Sequence, residues 1–378
     1  MAKAIYAFSG DPITYGHLNI IQRAARAFDD LVVGIGINPN KKYMFSLEER
    51  TKMAKEAVAD LSNVSVVAFK GLLVSYAYEQ GIDVLVKGVR DSRDFDYEML
   101  LYQAGESQRL GIDTHLLPAR QDLIHVASSV VKSILIEQGD VHTYVSIHVQ
   151  QALYERMLGQ YVVGITGETG VGKSYIGHLF ESWGKAHAVP VHHIELDHIA
   201  NQILAELDDP VYKTLRLKIA EEFGHEIVDS TGAIDKKILG EIVFKEPELL
   251  RKLNSIMDLP LSVRLKREMY GKRGIIAINA ALLAESNMLY LCNNNIILVT
   301  ADRNIQRDRL RQKQLTDNQI ERRLHSQYSA EQKKERIAQK IREQNHGALW
   351  LVDGSATVHE ELFEEVAKGI TYLTAQMN

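Results

Sequence analysis

The stretch "GITGETGVGKSY", Gly164 to Tyr175, decides how the chain is read. Gly167, Gly172, Lys173 and Ser174 fit the pattern G-x-x-x-x-G-K-S/T, with a strand-like run, "YVVGIT" (161–166), before them and a helix-like segment after. A strand, a glycine-rich turn and a helix start are the setting that a phosphate-binding loop needs. The glycines permit the turn that aims successive backbone N–H groups at phosphate oxygens. Lys173 is expected to reach the β- and γ-phosphates of a nucleoside triphosphate and Ser174 to bind Mg2+, while the helix start adds favourable partial charge. Gly170, Val171 and Tyr175 complete the expected nucleotide-binding stretch. Such a loop usually lies near the start of its domain, yet a long segment, Met1 to Val163, comes first.

Length agrees with a second domain in front. At roughly 100–200 residues per domain, 378 residues give two. With 46% apolar and 25% charged residues, each half can bury its own core. No apolar run of about 18 residues is present, so no membrane span is expected. The opening "MAKAIYAF" is too short and strand-like for a signal peptide. The one cysteine, Cys292, cannot form an intrachain disulfide, which points to a reducing, cytoplasmic setting. A net charge of −5 speaks against general nucleic-acid binding.

Short Val- and Ile-rich runs recur through the first half: "AIYAF" (4–8), "LVVGIGI" (31–37), "VSVVAF" (64–69), "DVLVKGV" (83–89) and "THLLPA" (114–119). Amphipathic segments such as "HLNIIQRAARAF" (17–28) and "SLEERTKMAKEAVADL" (46–61) lie between them, the second opening on a Ser46/Glu49 capping box. Strands alternating with helices predict an α/β fold with a parallel sheet. A helix-like segment, 145–158, ends at Gly159, a residue suited to a helix C-terminus. The pattern then restarts, which divides the chain into domains 1–159 and 160–378.

In the first domain, "FSGDPITYGH" (8–17) runs from the first strand into the first helix. An imidazole at a helix start, beside backbone N–H groups, suits a phosphorus centre that is gaining negative charge. A capping or core histidine is the plainer reading of His17. Ser128 and Ser129, in "VASSVVKS" (126–133), read either as helix caps or as phosphate contacts. Together with "NPNKKYMFSLEER" (38–50), "VLVKGVRD" (84–91), "DFDYEMLL" (94–101) and "QGDV" (138–141), these residues resemble the nucleotidylyltransferase superfamily and, within it, bacterial phosphopantetheine adenylyltransferases. The resemblance implies a Rossmann-like nucleotidylyltransferase domain that converts 4′-phosphopantetheine and ATP to dephospho-CoA and pyrophosphate, with Mg2+. By the same resemblance His17 and Lys41 are catalytic, His17 stabilising the transition state, and Ser9, Lys41 and Lys87 hold the phosphopantetheine phosphate. ATP falls to Ser9, Gly10, His17, Arg90, Tyr97, Glu98, Ser128 and Ser129. Where the family writes G-T-F-D-P, this chain has Phe8-Ser9-Gly10-Asp11-Pro12, so the glycine has moved two places. Lys87 stands where an Arg is usual, and Ala127 where a serine is.

In the second domain, "HIELDHIANQIL" (193–204) puts Asp197 just past a strand, as a general base for a hydroxyl or as a helix cap. With the phosphate loop, Glu195, Phe223-Gly224, "DSTGAIDKKILGEIVF" (229–244) and "LLAES" (282–286), residues 160–370 resemble the dephospho-CoA kinases. That family phosphorylates the ribose 3′-hydroxyl of dephospho-CoA with ATP and Mg2+. The resemblance makes Asp197 and Lys173 catalytic, makes the phosphate loop the ATP site, and adds Arg309, in a helical lid, to the ATP-binding residues. Lys313 replaces the lid's second Arg, losing a bidentate fork. Strand 274–279 ends in Asn279, so it offers no Asp for Mg2+. Residues 303–342 hold 12 Lys/Arg against 5 Asp/Glu, read as lid cations or as a solvated helix face.

The reading is a bifunctional coenzyme A synthesis enzyme taking ATP, 4′-phosphopantetheine and dephospho-CoA, with CoA as product. It is expected to have neither nucleic-acid nor membrane partners and to form a homo-oligomer, a hexamer or trimer. Two alternatives stand beside it. One is a nicotinamide mononucleotide adenylyltransferase fused to a ribosylnicotinamide kinase. The other is an adenylyltransferase with a degenerate, sensing kinase half.

Overall fold

The computed structural model describes residues 2–369 apart from 40, 245, 357 and 359. The last stretch expected in the second domain, 370–378, lies outside the described residues. The chain forms two compact units, Met1–Leu153 and Tyr154–Asn378. The helical run Ile147–Leu153 continues as Tyr154–Leu158, and Gly159, at φ +63°, ends it.

In the first unit, β1 (Lys3–Phe8), β2 (Asp30–Ile35), β3 (Val64–Ala68), β4 (Val84–Val89) and β5 (Asp113–Pro118) form a parallel sheet in the order β3-β2-β1-β4-β5. All five strand-like runs of the sequence are therefore strands. Ala4, Ile5, Leu31, Val33 and Val86 are wholly buried, as strands covered by helices on both faces require. The strand order turns about between β1 and β4, the place where α/β sheets bind ligands at their carboxyl ends.

The second unit has β6 (Gln160–Thr166), β7 (Val191–Glu195), β8 (Gly274–Asn279), β9 (Asn295–Thr300) and β10 (Ala348–Asp353), parallel in the order β10-β9-β6-β8-β7. Every residue of β6, the central strand, is buried. Tyr161, Val163 and Ile165 share a core with Phe180, Trp183 and Phe363, and the Phe180 and Phe363 rings stack at 4.6 Å. The helices Pro210–Phe223, Lys236–Val243 and Pro247–Met269 fill the chain between β7 and β8. Beyond β9 come Arg303–Gln312, Asp317–His325 and Ala330–Gln344. No helix among the described residues is long and apolar enough to cross a membrane.

Candidate active sites

In the first unit the expected residues gather at the carboxyl end of β1. The chain leaves Phe8 through Ser9 and Gly10 and enters the helix Tyr15–Ala27. Gly10 sits at φ +61°, so the displaced glycine falls where the backbone turns left-handed. Thr14 caps the helix. His17 Nδ1 accepts the Thr14 backbone N–H at 3.1 Å and lies 2.9 Å from Thr14 Oγ1. A ring nitrogen that accepts from an amide carries no proton, so the proton resides on Nε2. The ring stacks on Phe8 at 4.4 Å. Burial first, then the Arg90 and Lys41 cations, push His17 down to about 4. At neutral pH it is therefore an uncharged hydrogen-bond donor with a fixed tautomer, suited to an oxygen gaining charge.

The loops around it are pinned by three residues that the sequence alone did not single out. Asp11, 6% exposed, accepts the N–H groups of Met44 at 3.1 Å and Phe45 at 3.0 Å, and pairs with Lys132 at 2.9 Å. Burial raises its pKa, but Lys132 and the two amides outweigh that and hold it below the usual carboxylate value. Arg50, 1% exposed, donates to the carbonyls of Ser9, Gly36 and Phe45 and lies 4.0 Å over the Tyr43 ring. Ser9 Oγ is 3.5 Å from the Tyr43 hydroxyl, and Lys41 is exposed on the loop that these contacts hold.

The remaining candidates divide. Lys87 pairs with Glu98 at 2.8 Å and Arg90 with Asp94 at 2.8 Å, so these two of the three expected phosphate cations rest on carboxylates of the helix Ser92–Glu106. Tyr97 is exposed on the same helix. Ser128 Oγ donates to the Pro12 carbonyl at 2.8 Å, tying the loop after β5 to the loop after β1. Ser129 is exposed in the first turn of Ser128–Ile136, whose cap is Ala127.

In the second unit the phosphate loop springs from β6. Gly167 has φ +152°, and a Cβ there would stand 2.2 Å from the Val299 carbonyl, so only glycine fits. Gly170 and Gly172 also have positive φ, and Gly172 caps the helix Lys173–Ala186. Lys173 Nζ folds onto the loop, donating to the carbonyls of Gly167 at 3.1 Å and Glu168 at 2.9 Å. Burial pushes its pKa down to about 8, opposed by Asp197 and assisted by Lys333 and Lys313. At pH 7 it is still mostly an ammonium. Val171 is buried and Tyr175 exposed.

Asn279 Nδ2 lies 3.2 Å from Ser174 Oγ and 3.3 Å from both Glu195 Oε1 and His193 Nε2. The end of β8 thus meets the loop and the end of β7. Asp197 is exposed in the first turn of Leu196–Asn201, where Glu195, not Asp197, occupies the cap.

Arg309 donates to the carbonyls of Val171 at 2.9 Å and Gly354 at 2.8 Å, so its guanidinium clamps the loop's backbone. Gln306 reaches the Thr169 carbonyl at 2.8 Å, and Arg303 pairs with Glu168 at 2.9 Å. Much of the basic stretch is spent in this way: Arg307 pairs with Glu321 at 2.9 Å and Arg311 with Asp317 at 3.0 Å. Lys333, fully buried, pairs with Glu285 and donates to the Ala281 carbonyl at 2.7 Å. Lys313, Arg322 and Arg323 instead join Lys236, Lys237 and Phe244 around a cavity of about 390 Å³. That is large enough for part of a small-molecule ligand.

Comparisons with known proteins follow the two units. A family model for cytidylyltransferase-like proteins matches residues 9–132, and one for dephospho-CoA kinase matches residues 161–348. A phosphopantetheine adenylyltransferase of Thermotoga neapolitana is 42% identical over 154 residues, covering 41% of this chain and 96% of that protein. The protein of that name from Cutibacterium acnes is 40% identical, covering 41% of this chain and 98% of its own. A third, from Petrotoga mobilis, is 41% identical over 155 residues, covering 41% and 96%.

Proposed function

From a chain that belongs to the phosphopantetheine adenylyltransferase family over its first unit and carries a dephospho-CoA kinase domain over its second, we infer the division of chemistry that follows. The protein is a bifunctional transferase of coenzyme A synthesis, and ATP is a substrate of both units. The first unit transfers an adenylyl group to 4′-phosphopantetheine, and the second phosphorylates the dephospho-CoA so made. The nicotinamide mononucleotide alternative is not favoured, because the relatives of the first unit are phosphopantetheine adenylyltransferases.

The assignment of residues is our own. In the first unit a phosphate oxygen of 4′-phosphopantetheine attacks the α-phosphorus of ATP, and pyrophosphate leaves. His17 Nε2–H donates to the oxygen that gains charge; the Thr14 amide on Nδ1 is the observation that carries this reading. Ser9, Lys41 and Lys87 serve the phosphopantetheine phosphate, while Gly10, Arg90, Tyr97, Glu98, Ser128 and Ser129 serve ATP. To do so, Lys87 and Arg90 exchange or share the carboxylates that now hold them.

In the second unit Asp197 takes the proton of the ribose 3′-hydroxyl as its oxygen attacks the γ-phosphorus, and ADP leaves. Lys173 turns from the loop carbonyls to the β- and γ-phosphates, whose oxygens offer it full charge. The cationic cavity receives the acceptor's phosphates. Ser174 and Glu195, both in hydrogen-bond reach of Asn279, supply the hard oxygen donors that Mg2+ prefers, and they would hold it. Bound there, Mg2+ would neutralise charge on the β- and γ-phosphates.

We divide the domains at 159/160, assign the protein to the cytoplasm, and expect a homo-oligomer. Phe95, Leu100 and Leu101 are exposed on Ser92–Glu106, a helix that buries no residue of its own, which supports the last of these. A coupled assay tests the whole: with 4′-phosphopantetheine and ATP supplied, dephospho-CoA and then CoA accumulate. Accumulation of dephospho-CoA without CoA would instead favour a sensing second unit, and turnover of nicotinamide mononucleotide alone would overturn the assignment.

A further inference from the structure

The helix that follows the phosphate loop carries a second set of ligating groups on a turn that the phosphoryl chemistry does not use. His178 and Glu181 are three residues apart on Lys173–Ala186, so their side chains share one face. His193, on β7, lies against that face: the His178 and His193 rings are 5.0 Å apart and nearly perpendicular. One ligand atom from each of the three residues lies within 4.8 Å of the other two. His178 Nδ1 and Glu181 Oε2 are already 3.5 Å apart. Ligands bonded at roughly 2.0–2.2 Å around a tetrahedral ion sit at about that spacing from one another, so small side-chain rotations would close the set.

We propose that His178, Glu181 and His193 bind a divalent transition-metal ion, at a position separate from the Mg2+–nucleotide site. Two imidazoles and one carboxylate favour ions such as Zn2+, Co2+ or Ni2+ over Mg2+, which prefers oxygen. The set is partly preorganised. Glu181 Oε1 accepts the His193 backbone N–H at 3.1 Å, fixing the carboxylate between helix and strand. The His193 side chain is 2% exposed and fills the space over Gly177, where a Cβ would stand 2.3 Å from Nε2. His178 is 69% exposed, so the ion would enter from solvent and keep open positions for water. Because His193 Nε2 is 3.3 Å from Asn279 Nδ2, which also reaches Ser174, an ion here would border the kinase centre.

The test uses untagged full-length protein in excess Mg2+, with Zn2+ or Co2+ as the probe. Equilibrium dialysis with elemental analysis gives the stoichiometry, and Co2+ d–d absorption reports nitrogen ligation. The expected result is one equivalent of ion per chain, with affinity reduced at least about 10-fold in both His178→Ala and Glu181→Gln, a loss that even outer-shell changes produce. His198→Ala, which removes a histidine outside the set, should bind as the wild type does. Far less than one equivalent on the wild-type protein overturns the proposal. So does unchanged affinity and an unchanged Co2+ spectrum in His178→Ala, an exposed position whose replacement leaves the core intact.

Discussion

His17 in the first unit and Lys173 in the second are both half-buried beside the end of a central strand, and in the functions proposed both meet a nucleotide phosphate. Burial acts on both in the same direction, disfavouring the charged form. The outcomes differ because the starting points do. An imidazole pushed to about 4 is neutral at every physiological pH, whereas an amine pushed to about 8 remains mostly a cation. Their partners differ as well. His17 is fixed by the amide of its own helix cap, three residues away, while Lys173 rests on two loop carbonyls that a phosphate can replace. One site is set before substrate arrives; the other is completed by it.

The sharpest way to separate the two is by single substitutions read in both assays. Asp197→Asn should lower CoA formation by on the order of 10²–10⁴-fold, the range for losing a general base, with dephospho-CoA formation unchanged. A variant as fast as the wild type would remove Asp197 from the mechanism. His17→Ala should cost dephospho-CoA formation on the order of 10²–10³-fold, as for a lost oxyanion donor, and leave phosphorylation of supplied dephospho-CoA intact. Loss of both activities would point to a folding defect in place of a catalytic one.

The pH dependence breaks or sharpens the contrast directly. Lys173 loses its charge as pH rises through about 8, so kinase kcat/KM for ATP should fall roughly tenfold per unit above it. His17, neutral far below that range, should impose no limb on adenylyl transfer between about pH 6 and 9. A flat kinase profile would remove Lys173 from the free enzyme's titration.

A smaller effect is expected from the loops. Asp11→Asn weakens the pairing with Lys132 and the bonds to two amides, and should destabilise the first unit by about 1–3 kcal/mol, seen as an earlier thermal transition. Acid should act the same way. Asp11's folded pKa lies below its unfolded one, so its contribution is present above the unfolded value and fades as pH falls through the folded one. Thr14→Val keeps the backbone amide on Nδ1 but removes the hydroxyl, so a loss of only a few-fold in adenylyl transfer is expected.

The sheets and the phosphate loop were legible because they are written locally. Apolar runs bounded by turn residues mark β1 to β6 and β8, and the loop's glycines sit where positive φ is required. The capping box at Ser46 and Glu49 could likewise be read from spacing, and the structure forms it. What escaped was long-range. Lys132 is 121 residues from Asp11, and Lys333 is 48 from Glu285, and nothing in either neighbourhood announces the other. Ser128 reads as a cap or a phosphate contact, and the bond its hydroxyl donates to the Pro12 carbonyl is set by the fold. Arg309 was expected from a lid, and its use as a clamp on the carbonyls of Val171 and Gly354 depends on three segments meeting. The pair His178 and Glu181 had readable helical spacing, but its third member comes from the next strand.

The Asp11–Lys132 pair and the Ser128–Pro12 bond join the first and last strand-to-helix junctions of one sheet. On a growing polypeptide this has a consequence in time. The loops around His17 cannot be tied together until Lys132, 121 residues after Asp11, has been made. The surroundings of His17 are thus finished long after the histidine itself is made.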